Sequence, residues 1–245
     1  MEILSREFIR QFIVPFLTEG SRGFQSEYDT VTLVEIMLYR LKAGCQWRMI
    51  PLKQFFGETK ISWETVYYFW NKWCKAGCWA AMWLNFLKVH KAFLDMASIQ
   101  IDGSHTPAKR GGEAVAFQDR KAAKTTNALF LTDNQGVPLV MGAPQAGNHH
   151  DVFDIKVILT VMFNTLIECN IPLQGLFLNA DPGFDAKIVE TLCIEREIAP
   201  NIKPNGRGRT TPNTEPYEAG THIFDPELYK HRAVVEHTNA WIDAF

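Results

Sequence analysis

At residue 97 the hydrophobic period of this chain changes from one suited to helices to one suited to strands, and that switch limits the folds open to it. Before it, apolar residues recur three and four apart. Asp29 and Thr30 precede Val31, Val34, Met37, Leu38 and Leu41, and Gly44 follows, which predicts a capped helix of about three turns with a glycine stop. Ser62 opens a second helix on Val66, Phe69, Trp70 and Trp73 ahead of Gly77, and residues 79–93 predict a third. Between the first two, the stretch Cys45 to Pro51 is too irregular for a helix. Residues 1–95 therefore read as a small all-helical module, compact in one reading and DNA-binding in a sharper one. A connection of about twenty residues is far longer than the tight turn of a simple helix-turn-helix, which favours the compact reading.

After the switch, Ser98 to Gly103 alternates polar and apolar residues and predicts a strand that finishes at Asp102. Residues 104–124 are polar, basic and glycine-containing, and read as a loop. Two apolar runs, 127–131 and 137–141, flank Asp133-Asn134-Gln135-Gly136, a hairpin signal with glycine where positive φ is needed. Asp151 then caps a helix bearing Phe153, Val157, Ile158, Val161, Met162 and Leu166, which Pro172 stops. A strand over 175–181, a helix over 186–196 with Ile188, Val189, Leu192 and Cys193 inside, a short strand over 198–202 and a loop over 203–222 follow. Asp225-Pro226-Glu227 starts a last helix, with an N-cap and a proline in its first turn. Residues 96–245 are thus an α/β domain built on a mixed sheet, whose chemistry is expected at strand ends.

Composition narrows the function more than it names it. A net charge of -2 over 245 residues supplies no global positive field, so a polyanion would have to meet a local patch. Five cysteines without paired spacing fit a reducing cytoplasm, and Cys74 and Cys78 read as buried thiols rather than zinc ligands. No apolar run approaches roughly 18 residues, so neither a signal peptide nor a membrane span is expected.

Three acids carry the chemistry. Asp102 and Asp181 each end an apolar strand, and Asp185 lies four residues beyond Asp181, where helix capping or substitution as a ligand are both readings. Aspartate beside Gly or Pro-Gly is common in turns, yet a carboxylate emerging from a buried strand is costly without a partner, and a divalent cation is one. Glu236 is the third. On an ideal helix Tyr229, Arg232 and Glu236 fall at about 0°, 300° and 340°, a single narrow face.

Tyr229, Arg232 and Glu236 spell Tyr-x2-Arg-x3-Glu, downstream of Asp-Gly-Ser at residue 102 and Ala-Asp-x-Gly-Phe-Asp at 180–185. With Leu41 to Pro51, Trp63 to Phe69, Lys124 to Asn127 and Gly147 to Asp151, this order of motifs resembles the insertion sequence five family of bacterial transposases along nearly the whole chain. The resemblance implies a ribonuclease-H-like catalytic domain in which Asp102, Asp181 and Glu236 are catalytic and hold two Mg²⁺ ions, with Mn²⁺ as a substitute. It implies cleavage at element ends followed by strand transfer, with one chemistry serving two nucleophiles. Double-stranded DNA, as terminal inverted repeats and as target, is the implied partner. A homodimer or larger assembly on that DNA and a cytoplasmic, nucleoid-associated location go with it.

Tyr229 and Arg232 would hold a DNA phosphate or orient the glutamate. Lys109, Arg110, Arg120, Lys121 and Lys124 outnumber Glu113 and Asp119 in the loop after Asp102 and form the local basic patch, with Lys203, Arg207 and Arg209 as a weaker second one. His149, His150 and Asp151 read as a turn and helix cap rather than a metal cluster. The family pattern places a lysine seven residues after the glutamate; here Asp243 stands there and the chain stops at Phe245, which reads as a shortened copy. Two rival readings follow: a catalytically impaired, DNA-binding remnant, and a ribonuclease-H-like nuclease with no preference for element ends.

Overall fold

A computed structural model describes residues 3–18, 26–108, 112–205 and 224–243. The chain divides into two compact units between Val89 and His90. In the first, α1 (Arg6–Phe12), α2 (Thr30–Ala43), α3 (Leu52–Phe56), α4 (Trp63–Lys75) and α5 (Cys78–His90) form an all-helical module. The expected capping is present: the side chain of Asp29 accepts from the Thr32 amide, that of Ser62 accepts from the Thr65 amide, and Gly44 ends α2 at φ 61°. Ile9, Val34, Met37, Val66 and Trp73 build the core, and Trp47, Trp70 and Trp79 pack in series at ring-centroid distances of 5.9 and 5.5 Å. Two elements were not legible in the sequence, α1 and α3, because each is too short to show a period. The irregular stretch after α2 contains a 3₁₀ turn at Trp47–Met49, and a second such turn at Lys91–Phe93 follows α5 where the predicted helix continued. Cys74 is exposed rather than buried.

The second unit is a mixed sheet with helices against it. β1 (Ser98–Pro107) lies at the centre, with β3 (Ala123–Thr132) antiparallel on one side and β6 (Phe177–Ala180) parallel on the other. β2 (Ala116–Gln118), β4 (Pro138–Met141) and β5 (Gln145–Ala146) pair with β3, and β7 (Ala199–Ile202) runs parallel to β6. Antiparallel strands gathered around β3, then two parallel ones reached through α6 (Ile155–Glu168) and α7 (Lys187–Ile194), give the mixed α/β sheet expected. The hairpin turn is as read: Asp133 Oδ1 accepts from the Gln135 and Val137 amides at 2.9 and 2.8 Å, and Gly136 adopts φ 89°.

Several boundaries differ from the sequence reading. β1 does not stop at Asp102 but runs five residues further, because β3 continues to pair with it as far as Pro107. The expected loop over 104–124 therefore contains the end of β1, all of β2 and a 3₁₀ turn at Asp119–Lys121. Helix α6 starts at Ile155 rather than after Asp151, and it buries Ile158, Met162 and Leu166 while leaving Val157 and Val161 exposed, as is Phe153 ahead of it. Its sequence is apolar on nearly every side, so periodicity could not choose the buried face. Ile188 of α7 is likewise exposed. The last helix is broken into α8 (Pro226–Tyr229), a 3₁₀ turn at Lys230–Arg232 and α9 (Ala233–Asp243).

What places these last helices is a row of buried amides. Gln100, Asn179 and Asn201 occupy matching register on β1, β6 and β7. Asn179 Nδ2 donates to Gln100 Oε1 and Asn201 Nδ2 donates to Asn179 Oδ1, each at 2.7 Å. The same two amide groups donate to the carbonyls of Leu228 and Asp225 at 3.1 Å, and Asn201 Oδ1 accepts the Asp225 amide at 2.8 Å. Because a buried acceptor left without a donor costs about 1–3 kcal/mol, Asn179→Leu should lower unfolding stability by about 3 kcal/mol. Urea denaturation followed by circular dichroism measures this; an unchanged midpoint would show that the row contributes no stability.

Candidate active site

The pairing of β1 with β6 ends at Ile101 and Ala180, and the next residue on each strand is an aspartate. Asp102 and Asp181 thus emerge where two parallel neighbours part, although only Asp181 is a true strand end. Side chains alternate along β1, so Asp102 faces α9 while Gly103 faces the turn ahead of α6. Asn239 of α9, itself buried, donates from Nδ2 to Asp102 Oδ2 at 3.0 Å. Asp181 Oδ1 accepts the Gly183 amide at 2.8 Å and so caps the 3₁₀ turn Pro182–Phe184. Burial pushes the Asp102 carboxyl up to about 6, the Gly103 amide opposes this, and the charges of Asp151 and Asp181 raise it further against the pull of Arg232. Asp102 is therefore a desolvated acid facing other acids, with too little positive charge beside it.

Glu236 stands in the first turn of α9 and is exposed, with Oε1 accepting from Arg232 Nη2 at 2.8 Å. Burial works against the Arg232 charge, but the Glu236 charge and hydrogen bond outweigh it and raise the guanidinium pKa. The guanidinium also lies 6.0 Å from the centroid of the Tyr229 ring, and burial raises that phenol. The three motif residues thus share one face as predicted, even though a 3₁₀ turn interrupts the helix between them. Among the described residues, no three His, Cys, Asp or Glu side chains stand close enough to hold a metal ion. The structure brings Asp102 and Asp181 into mutual electrostatic reach, and it places Glu236 against Arg232.

Asp151 is the acid whose place the sequence did not reveal. It does not cap α6: Asp154 occupies the cap position in a left-handed conformation, with no side-chain hydrogen bond. Instead Asp151 Oδ1 accepts from Asn127 Nδ2 at 2.8 Å and presses so close to Gly103 that a Cβ there would lie 2.2 Å away. Gly103, inside β1 rather than at a turn, leaves the space that the Asp151 carboxylate occupies, and a larger residue there would push that side chain aside. His149 stacks on Phe153 at 3.7 Å between ring centroids, away from any cluster. Asp185 caps no helix either, since Ala186 precedes α7, and its Oδ2 accepts the Asn205 amide at 2.6 Å.

The expected DNA contacts divide. Arg120, Lys121 and Lys124 are exposed at the start of β3 and the turn before it, but Lys121 Nζ donates to the His105 carbonyl at 2.7 Å. Lys109, Arg110, Arg207 and Arg209 lie outside the described residues. Asp243, where a phosphate-facing lysine was expected, turns toward β1: its carboxylate accepts from Thr106 Oγ1 at 3.0 Å and from Ser104 Oγ at 3.4 Å. An acid at that place fastens α9 to the sheet.

Asp102 makes its own pH signature. A carboxyl raised from 3.8 to about 6 binds its proton more tightly in the folded chain, so protonation stabilises the fold below about pH 4 and that stabilisation is lost as pH rises to 6. Asp102→Asn should therefore match the unsubstituted protein near pH 4 and exceed it by about 3 kcal/mol at neutral pH in metal-free buffer. Urea midpoints that differ equally at both pH values would exclude the carboxyl as the cause.

The model of a domain described as "Putative transposase of IS4/5 family (DUF4096)" matches residues 8–83. No curated protein sequence matches the chain. Among solved structures, the Mos1 transposase paired-end complex with left transposon end aligns at 14% identity and a TM-score of 0.32, covering 78% of this chain. The chain spans 62% of the length of that protein. Across its helical module the chain is therefore similar to IS4/5-type transposases, the resemblance that its motifs carry.

Proposed function

We propose that this protein is an insertion-sequence DNA transposase that cleaves at element ends and transfers strands into target DNA, with Asp102, Asp181 and Glu236 as its catalytic acids. The observation that carries the reading is the convergence of Asp102 and Asp181 at the parting of β1 and β6, with Asp102 desolvated and short of positive charge. A site of carboxylate oxygens without histidine or thiolate suits Mg²⁺, with Mn²⁺ as a substitute, and two ions fit the reaction class. A divalent cation held there would supply Lewis-acid activation of the phosphate and of the attacking hydroxyl. Asp102 and Asp181 would hold it, each with one oxygen already fixed by an Asn239 or Gly183 donor.

Glu236 joins this set by leaving Arg232, a rotation of an exposed side chain about a fixed helix. Arg232, released, is free to hold a DNA phosphate bidentately with Tyr229 beside it. In this reading residues 1–95 bind the terminal repeats and residues 96–245 hold the catalytic domain. Arg120, Lys121 and Lys124 contact the backbone of the bound duplex, and Lys109 and Arg110 extend that patch. Joining two element ends calls for at least a dimer on DNA. None of the described helices is long and apolar enough to cross a membrane; the cytoplasmic, nucleoid-associated location belongs to the transposase reading alone.

Incubation with DNA carrying the element's terminal inverted repeats and Mg²⁺ or Mn²⁺ should yield nicks at the repeat ends. In Asp102→Ala and Asp181→Ala the rate should fall at least about a hundredfold with end binding retained. Cleavage that persists in chelator, or that ignores the repeat ends, overturns the reading; end binding without cleavage by the unsubstituted chain identifies the DNA-binding remnant instead.

A further inference from the structure

Asn239 stands three residues after Glu236 on α9, and no part of the family motif includes it. It is 8% exposed, and its Nδ2 donates to Asp102 Oδ2 at 3.0 Å, while its Oδ1 has no partner among the described residues. An amide accepted into a buried position with half its capacity unused is unfavourable unless the other half does something. What it does here is geometric. Asp102 also accepts from the Gly103 amide, and it faces the charges of Asp151 and Asp181, with Arg232 a smaller opposing influence. A carboxylate repelled by two like charges and left to rotate would turn away from Asp181. The Asn239 donor fixes Oδ2 toward α9, so the carboxylate is not left free to rotate. The same contact ties the helix that bears Glu236 to the strand that bears Asp102.

We propose that Asn239 is a positioning residue for the site: it sets the rotation of the Asp102 carboxylate and the distance of α9 from β1, so that the acids meet one cation in a single arrangement. This rests on the transposase reading above for the identity of the cation site, but not for the hydrogen bond. Asn239 acts through Asp102, as partners of metal-binding carboxylates do. The helical spacing contained the clue: Asn239 lies about 60° around the helix from Glu236, on the side facing the sheet.

Mn²⁺ binding to the full chain, read from the free-ion signal in electron paramagnetic resonance, tests the proposal without requiring activity. Asn239→Ala should weaken Mn²⁺ binding about 10- to 100-fold, and with repeat-end DNA it should lower kcat while leaving KM for DNA unchanged. Asn239→Ser, whose hydroxyl is too short to reach Asp102 from the same backbone, should behave likewise and stands in if the alanine variant fails to fold. Unchanged Mn²⁺ affinity in a folded Asn239 variant, beside an unsubstituted protein that binds the ion, overturns the positioning role and leaves the transposase reading intact. If the unsubstituted protein binds Mn²⁺ no better than Asp102→Asn, the cation site itself is overturned, and the positioning role with it.

Discussion

The row of amides from Gln100 through Asn179 to Asn201 is the constraint on which the rest of the second unit depends. Three polar side chains in the middle of a sheet would be a heavy cost if any were unpaired. Here each donor and acceptor used by the row has a partner, and the row ends on the backbone of Asp225 and Leu228. It therefore locks the register of three strands and, with the same groups, the starting point of the C-terminal helices. A one-residue slip of β6 would turn Asn179 to the other face and carry Asp181 with it. Placement of the two aspartates and placement of α9 are consequences of one hydrogen-bonded device.

From that anchored start, α9 is held along its length by contacts of different kinds. Thr238 Oγ1 donates to the Gly136 carbonyl at 2.6 Å, and Gly136 has no Cβ because one would lie 2.6 Å from Val234 Cγ1. Asn239 meets Asp102, and Asp243 meets Ser104 and Thr106. Hairpin turn, central strand and last helix are thus coupled, so the glycine that satisfies the turn's positive φ also admits the helix that carries the third acid.

Most of the strands along the chain were legible because they rest on local signals: alternation before Asp102, the Asp133 to Gly136 turn, and the Pro-Gly after Asp181. The long reach of β1 was not, since residues 103–107 are held by pairing with β3, whose sequence separation no local pattern reveals. Asp151 was misplaced for a related reason. As a helix cap it obeys local preference, but Asn127 on β3 and the open space over Gly103 claim its carboxylate instead. Asp243 shows the same limit in charge arguments: judged by sign alone it opposes DNA, whereas two hydroxyls on β1 give it a structural task.

The energetics also explain how a site can be built with its third acid turned aside. The Arg232 and Glu236 pair is partly exposed, the glutamate about half so, and such pairs contribute about 0–1 kcal/mol. Asp102 carries a larger opposing cost, a carboxyl held near 6 by burial among like charges, about 2–3 kcal/mol at neutral pH. In the proposed transposase a cation at Asp102 would relieve the second cost, and the weak pair with Arg232 would do little to hold Glu236 away from it. The backbone of α9 need not move for that to happen, because every attachment that fixes the helix lies on its sheet-facing side and Glu236 lies outside them.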